Sequence, residues 1–253
     1  MAEPQGEPQS PEEKPKSSTG REKFETWGYD MYPERRKTDA DFTIKDFFSW
    51  KSRNNIEQYK CEKTVVDVIK TSPLVRVMVS ALKKAGCPVN FRRHIQCEHC
   101  EPIVTGGYDP VFNQIVICNN TSRSKGFVEN VLVHELIHMF DYCTREMDFK
   151  NIDHLACSEI RAANMTYCSY PSAFWGEHID RTKVRNQQQE CVKRRASDSV
   201  YAVRNITREE ADAAVEKVFH KCYNDTEPLG RRIRRSLNGS DLIYSEAYLL
   251  GYD

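Results

Sequence analysis

The clearest helical pattern in this 253-residue chain follows Ser72-Pro73, where Leu74, Val77, Met78, Ala81 and Leu82 recur at the spacing of one helix face. Ser72 reads as the N-cap of that helix, Pro73 as its first turn, and Gly86 as its terminator. A short helix carrying Val65, Val66, Val68 and Ile69 precedes it over Cys61 to Lys70. Gly106-Gly107 and Asp109-Pro110 are turn signals bracketing a strand-like region, and Gln114-Ile115-Val116-Ile117-Cys118 predicts a strand closed by Asn119-Asn120. From Phe127 to Cys143 the spacing is helical but apolar on most sides, which places that helix at the centre of a core. Further helices are predicted over Ala156 to Thr166, over part of Gly176 to Val203, and from the capping box Thr207-x-x-Glu210 to about Tyr223. Residues 1–40 are polar and Pro-rich and read as a disordered tail, with Trp27, Tyr29 and Tyr32 either docked on the domain or, the favoured reading, in solution. Residues 229–253 read as an irregular C-terminal tail. The fold class is α+β, mainly helical with a small sheet, in one domain over residues 41–228.

Composition narrows this picture. Lys plus Arg and Asp plus Glu both number 37, so the chain lacks the basic excess that a bulk nucleic-acid binder needs. The longest apolar stretch, Pro73 to Leu82, is interrupted by Arg76 and is too short for a transmembrane helix. Ten cysteines suggest disulfide staples, yet Met1 to Ser18 has no apolar core and does not read as a secretory signal. Cys97-x-x-Cys100, with His94 and His99 nearby, is either half of a structural zinc site or a source of disulfides; the pairing is not readable from spacing. The basic cluster Arg231-Arg232-Ile233-Arg234-Arg235 reads either as a contact with anionic lipid or as a solvated tail.

The chemistry lies in the apolar helix. His134-Glu135-Leu136-Ile137-His138 is H-E-x-x-H, which sets two imidazoles on one helix face where both reach a single Zn2+ ion. Glu135 then stands beside the metal rather than on it, placed to take a proton from water and pass it to a leaving amine. The alternative is two ordinary surface histidines, which a helix this apolar argues against. A longer metzincin pattern would need Gly and His where the chain has Asp141 and Thr144, so that subclass is excluded. Two residues compete for the third ligand. Glu159 would complete a His2Glu set of the gluzincin kind, and His154 is either the ligand instead or a donor to the oxyanion. Ala162 and Ala163 would let the helix bearing Glu159 pack closely. The strand Gln114 to Cys118 is either purely structural or a sheet edge on which a substrate backbone adds.

Several blocks together resemble a known family. They are Gly106-Gly107-Tyr108-Asp109, Ile115-Val116-Ile117-Cys118, His134-Glu135-Leu136-Ile137-His138 with Phe140-Asp141, and His154-Leu155-Ala156-Cys157-Ser158-Glu159-Ile160-Arg161-Ala162-Ala163-Asn164. Cys191-Val192-Lys193-Arg194-Arg195-Ala196 and Phe219-His220-Lys221-Cys222-Tyr223-Asn224-Asp225 extend the likeness, which covers roughly residues 60–228. The family is that of the mitochondrial inner-membrane metalloproteases acting in ATP synthase assembly. After Asn164 the chain departs from the pattern and reads Met165-Thr166-Tyr167-Cys168.

The resemblance implies a zincin-like zinc endopeptidase, held peripherally on the intermembrane-space side of the inner membrane. It further implies zinc ligands His134 and His138, and Glu135 as catalytic acid and base. Its protein substrate would be a membrane-protein precursor, a membrane-sector subunit of the ATP synthase, with no nucleic-acid partner. The cysteines would then reflect import by oxidative trapping, and Cys87-x9-Cys97 has a spacing used by oxidised helical hairpins of that compartment. An alternative role is that of a non-proteolytic assembly factor for the same membrane sector.

Overall fold

The computed structural model describes residues 31–32, 44–122, 124–168, 184–232 and 239–252. Most of the N-terminal tail, including Trp27 and Tyr29, lies outside them, as do residues 176–183 of the fifth predicted helix. In chain order the elements are α1 (Ile44–Thr71), α2 (Pro73–Lys84), α3 (Phe91–His94), β1 (Ile95–Glu98), β2 (Gly106–Asp109), β3 (Gln114–Cys118), α4 (Lys125–Thr144), α5 (Ile152–Met165), α6 (Val184–Val203), α7 (Arg208–Asn224) and α8 (Gly239–Glu246). A 3-10 turn, Ala247–Leu250, follows α8.

Local capping chemistry sets most helix starts. Ser72 accepts from the Val75 amide and Ser124 from the Phe127 amide. Asn151 caps α5, and Thr207 with Glu210 closes a reciprocal capping box on α7. Gly86, just past α2, has φ of 87°, in the left-handed region where a side chain would be strained.

The three strands lie in the order β1-β3-β2, with β1 parallel and β2 antiparallel to β3. Strand β3 is therefore central, so the expectation that it serves as a sheet edge is corrected: both of its edges are already paired. One face of β3, Ile115 and Ile117, joins a core with α1, α2 and α4. The opposite face, Val116 and Cys118, packs with Met31, Cys100 and Val104.

Four further expectations are corrected. Helix α1 starts at Ile44 rather than Cys61, since no Pro or Gly stops a helix between them and a mostly polar stretch hides its period. Gly106-Gly107 begins a strand rather than a turn. The segment after residue 229 is not irregular: Ile243 of α8 and Ala247 are buried in the same core as α2. Tyr32 does not lie in solution, because its hydroxyl donates to the Gly106 carbonyl at 2.9 Å.

All ten cysteines are paired, as Cys61–Cys97, Cys87–Cys143, Cys100–Cys118, Cys157–Cys222 and Cys168–Cys191. A zinc site at Cys97 and Cys100 is thereby ruled out, and Cys87 and Cys97 join other partners rather than each other. Cys61–Cys97 and Cys87–Cys143 staple the core of α1, α2, β3 and α4, Cys100–Cys118 lies in the small cluster on the other face of β3, and the last two pairs staple the body built on α5, α6 and α7. Helix α5 is the shared wall. Ala162 and Met165 face the first core, while Leu155, Ala156, Ile160 and Ala163 face the second.

Candidate metal centre

His134 and His138 stand one turn apart on α4, and every residue from Val131 to Asp141 of that helix is buried. Their Nε2 atoms are 3.1 Å apart, with the rings meeting edge to face at 4.7 Å. Glu159, from α5 across the seam, brings its carboxylate to 3.3 Å from His134 Nε2 and 3.5 Å from His138 Nε2. One donor atom from each of the three lies within 4.8 Å of the others. Two imidazoles and a carboxylate form a set that suits zinc.

The proton inventory agrees with a metal there. Ser158 donates its only hydroxyl hydrogen to Asp141 Oδ2 at 2.8 Å. Ser158 Oγ also lies 2.7 Å from His138 Nδ1, so the network assigns the imidazole proton to Nδ1, donating to Ser158. That leaves Nε2 of His138 with a free lone pair facing Glu159. Glu159 Oε2 is buried without a hydrogen-bond partner among the described residues. His134 Nδ1 is likewise buried without a partner among the described residues, so the polar atoms gathered here are incompletely paired by the protein itself. These residues therefore fit a divalent ion. Burial pushes the Glu159 carboxyl up, but His138 and His134 beside it hold it well below the ordinary carboxylate range.

Glu135 follows His134 in sequence but stands outside the ligand group. Burial pushes its carboxyl up to about 7; the charge of His134 opposes that shift and Glu159 adds to it. A carboxyl near 7 can both take and return a proton at neutral pH. Strand β2 runs close beside it. A Cβ on Gly106 would lie 2.5 Å from Val131 Cγ1, 2.8 Å from the Val116 carbonyl oxygen and 3.6 Å from Glu135 Oε1. Only glycine lets β2 approach α4 this closely. Thr105 pairs with Cys118 through its carbonyl, so by strand alternation the backbone groups of Gly106 and Tyr108 point away from β3, to an edge that no strand pairs among the described residues.

The sequence reading missed Tyr167, just beyond α5, whose ring centroid is 5.4 Å from that of His134. Burial and the carboxylates of Glu135 and Glu159 push its phenol up, so it remains a neutral O–H donor. It also missed the support behind the ligands. Asp141 and Arg161, both 1% exposed, form an ion pair across the seam between α4 and α5. Arg161 Nε approaches Asp225 at 3.4 Å and its Nη2 donates to the Glu227 carbonyl. Arg145, capping α4, joins Asp225 at 2.7 Å. A signal existed: a lone Asp in so apolar a helix calls for a buried cation. His154 is placed elsewhere, its Nδ1 accepting from the Asp148 amide at 3.2 Å. The structure brings Glu159, not His154, to the two imidazoles.

A family profile described as "Peptidase M76 family" matches residues 59–230. The chain belongs to the peptidase M76 family. It is similar to the "Mitochondrial inner membrane protease ATP23 homolog" of Danio rerio, 40% identical over 223 residues, covering 87% of this chain and 84% of the relative. The Homo sapiens protein of the same name is 43% identical over 174 residues, 68% of this chain and 70% of its own. The "Mitochondrial inner membrane protease atp23" of Schizosaccharomyces pombe is 38% identical over 174 residues, 68% of this chain and 92% of its own. No solved structure matches the chain. The chain is thus a protease, and one of the mitochondrial inner membrane. Among its described residues, no helix is long and apolar enough to cross a membrane.

Proposed function

We propose that this protease is a zinc-dependent endopeptidase with a zincin-like, gluzincin-like site, held peripherally on the intermembrane-space side of the inner membrane. It processes the precursor of an ATP synthase membrane-sector subunit and assists assembly of that sector. The observation that carries the reading is the convergence of His134, His138 and Glu159 beside a free, buried Glu135. When bound, the zinc ion polarises the scissile carbonyl and the attacking water. The chain's residues do the rest. His134, His138 and Glu159 hold the ion, and Ser158 fixes the His138 tautomer. Glu135 accepts a proton from the attacking water and returns it to the leaving amine. The phenol of Tyr167 donates to the oxyanion that develops on the carbonyl. The open edge of β2 takes the substrate backbone as an added strand, with Tyr32 competing for the Gly106 carbonyl.

The test is Glu135→Gln, assayed for bound zinc and for precursor cleavage by purified protein. Zinc content should stay at one ion per chain while cleavage is lost by 100-fold or more, on the order of a missing general base. Undiminished cleavage would overturn the mechanism. Normal ATP synthase assembly in cells carrying only this variant would favour the non-proteolytic assembly role, which the shared site does not require to be catalytic.

A further inference from the structure

We infer that the face formed by α2, α3 and the C-terminal α8 segment is the surface by which this chain docks on an anionic lipid bilayer. It rests on the peripheral membrane location proposed above but not on proteolysis. The first observation is charge. Between Asp67 and Glu98 the chain carries Lys70, Arg76, Lys83, Lys84, Arg92 and Arg93 and no acidic residue at all, in a protein whose net charge is zero. These six stand at the end of α1, along α2 and on α3. A neutral chain thus concentrates six cations in one acid-free segment.

The second observation is what sits among those charges. Helix α8 and the turn after it pack on α2. They leave Tyr248 70% exposed and Leu249 69% exposed, with Leu242, Tyr244 and Leu250 also exposed. Phe91, Tyr244 and Tyr248 line one shallow groove together with Arg76. Arg76 stands over the Tyr244 ring at 5.8 Å, and Lys84 reaches both the Leu250 carbonyl at 2.6 Å and the Tyr252 ring. Of the two acids on α8, Glu246 is taken by Arg231, which leaves Asp241; at the margins of the face Glu129 accepts from Ser72 at the start of α2 and Glu227 acts on Tyr252. Large apolar side chains exposed within a ring of Lys and Arg are the composition of an interfacial membrane anchor: tyrosines settle at headgroup level, leucines enter the acyl boundary, and the cations meet lipid phosphates.

The basic cluster that begins at Arg231 is the weaker candidate. Arg231 pairs with Glu246, and Arg232 is spent internally on Asn164, the Tyr223 carbonyl and the Tyr223 ring.

The test is co-sedimentation of the oxidised full chain with phosphatidylcholine vesicles, with and without about one-fifth anionic phospholipid. The wild type should pellet with the anionic vesicles and release as salt rises. Arg92→Glu with Arg93→Glu, and separately Tyr248→Ser with Leu249→Ser, should each weaken partitioning by about tenfold while leaving the melting temperature unchanged. Lys221→Glu on α7 should leave binding intact. Equal binding by wild type and both variants, or equal binding to neutral vesicles, would overturn this surface. So would a wild type that ignores every vesicle yet pellets with isolated inner membranes; that outcome would leave the membrane location standing and move the anchor to a protein. If the apolar variant only dissolved a dimer without loss of lipid binding, the face would belong to a second copy instead.

Discussion

The two stapled bodies differ sharply from the seam between them. Each body has its own disulfides: three in the first, two of them in its main core and one in the small cluster on the far face of β3, and two in the second. No disulfide joins one body to the other. Along the seam α4 and α5 still share apolar contacts through Ala162 and Met165, but the distinctive contacts are polar: Asp141 with Arg161, Arg145 with Asp225, and the ligand set of His134, His138 and Glu159. Covalent rigidity therefore sits in the walls, and the site spans the joint. A metal bound there clamps the two walls together as well as serving chemistry.

The comparison is broken most forcefully at Arg161. Replacing it in Arg161→Met leaves the buried Asp141 with only the half-exposed Arg145 at 3.7 Å as a cation, and the cost should approach about 3–5 kcal/mol in urea unfolding. A loss well under that would mean Asp141 finds another partner and the seam is softer than its ion network implies. The walls come next. Cys157→Ala with Cys222→Ala opens one staple of the second body and should cost about 2–4 kcal/mol. Hydrogen exchange should accelerate in α5 and α7 while α1, α2 and the sheet stay protected; loosening of both bodies together would show that they unfold as one unit. The smallest effect falls on Ser158→Ala. It removes the acceptor for His138 Nδ1–H without touching a ligand, and should weaken metal affinity about 10–100-fold in a chelator competition. Ser158→Thr, which keeps the hydroxyl, should restore it.

What was legible in the chain was local. H-E-x-x-H carries its geometry with it, because four residues make one helical turn, and the Ser72 and Thr207 caps act within three residues of themselves. Glu159 was reachable by donor chemistry, while the choice between it and His154 needed the packing of α5 on α4. The long-range features were not legible. Nothing local marks β3 as a central strand, since that depends on β1 and β2 arriving from opposite sides. Tyr167 looked like a break in a family pattern, and only the fold brings its ring to His134. Helix α8 escaped because it is short and Leu242 and Tyr244, two of its three large apolar residues, face outward.

The disulfide map also bears on how the chain finds its native bonds. Ten cysteines can pair in roughly 945 ways, since each added pair multiplies the possibilities. Every cysteine before residue 144 bonds within that stretch, and every one after residue 156 bonds within the remainder. If each stretch sorts itself separately, six cysteines offer about 15 arrangements and four offer about 3, a search of roughly 45. A chain oxidised from its N-terminus onward can finish the first stretch before the second is present. Sequential bookkeeping of this kind removes most mispaired states without any isomerase having to undo them.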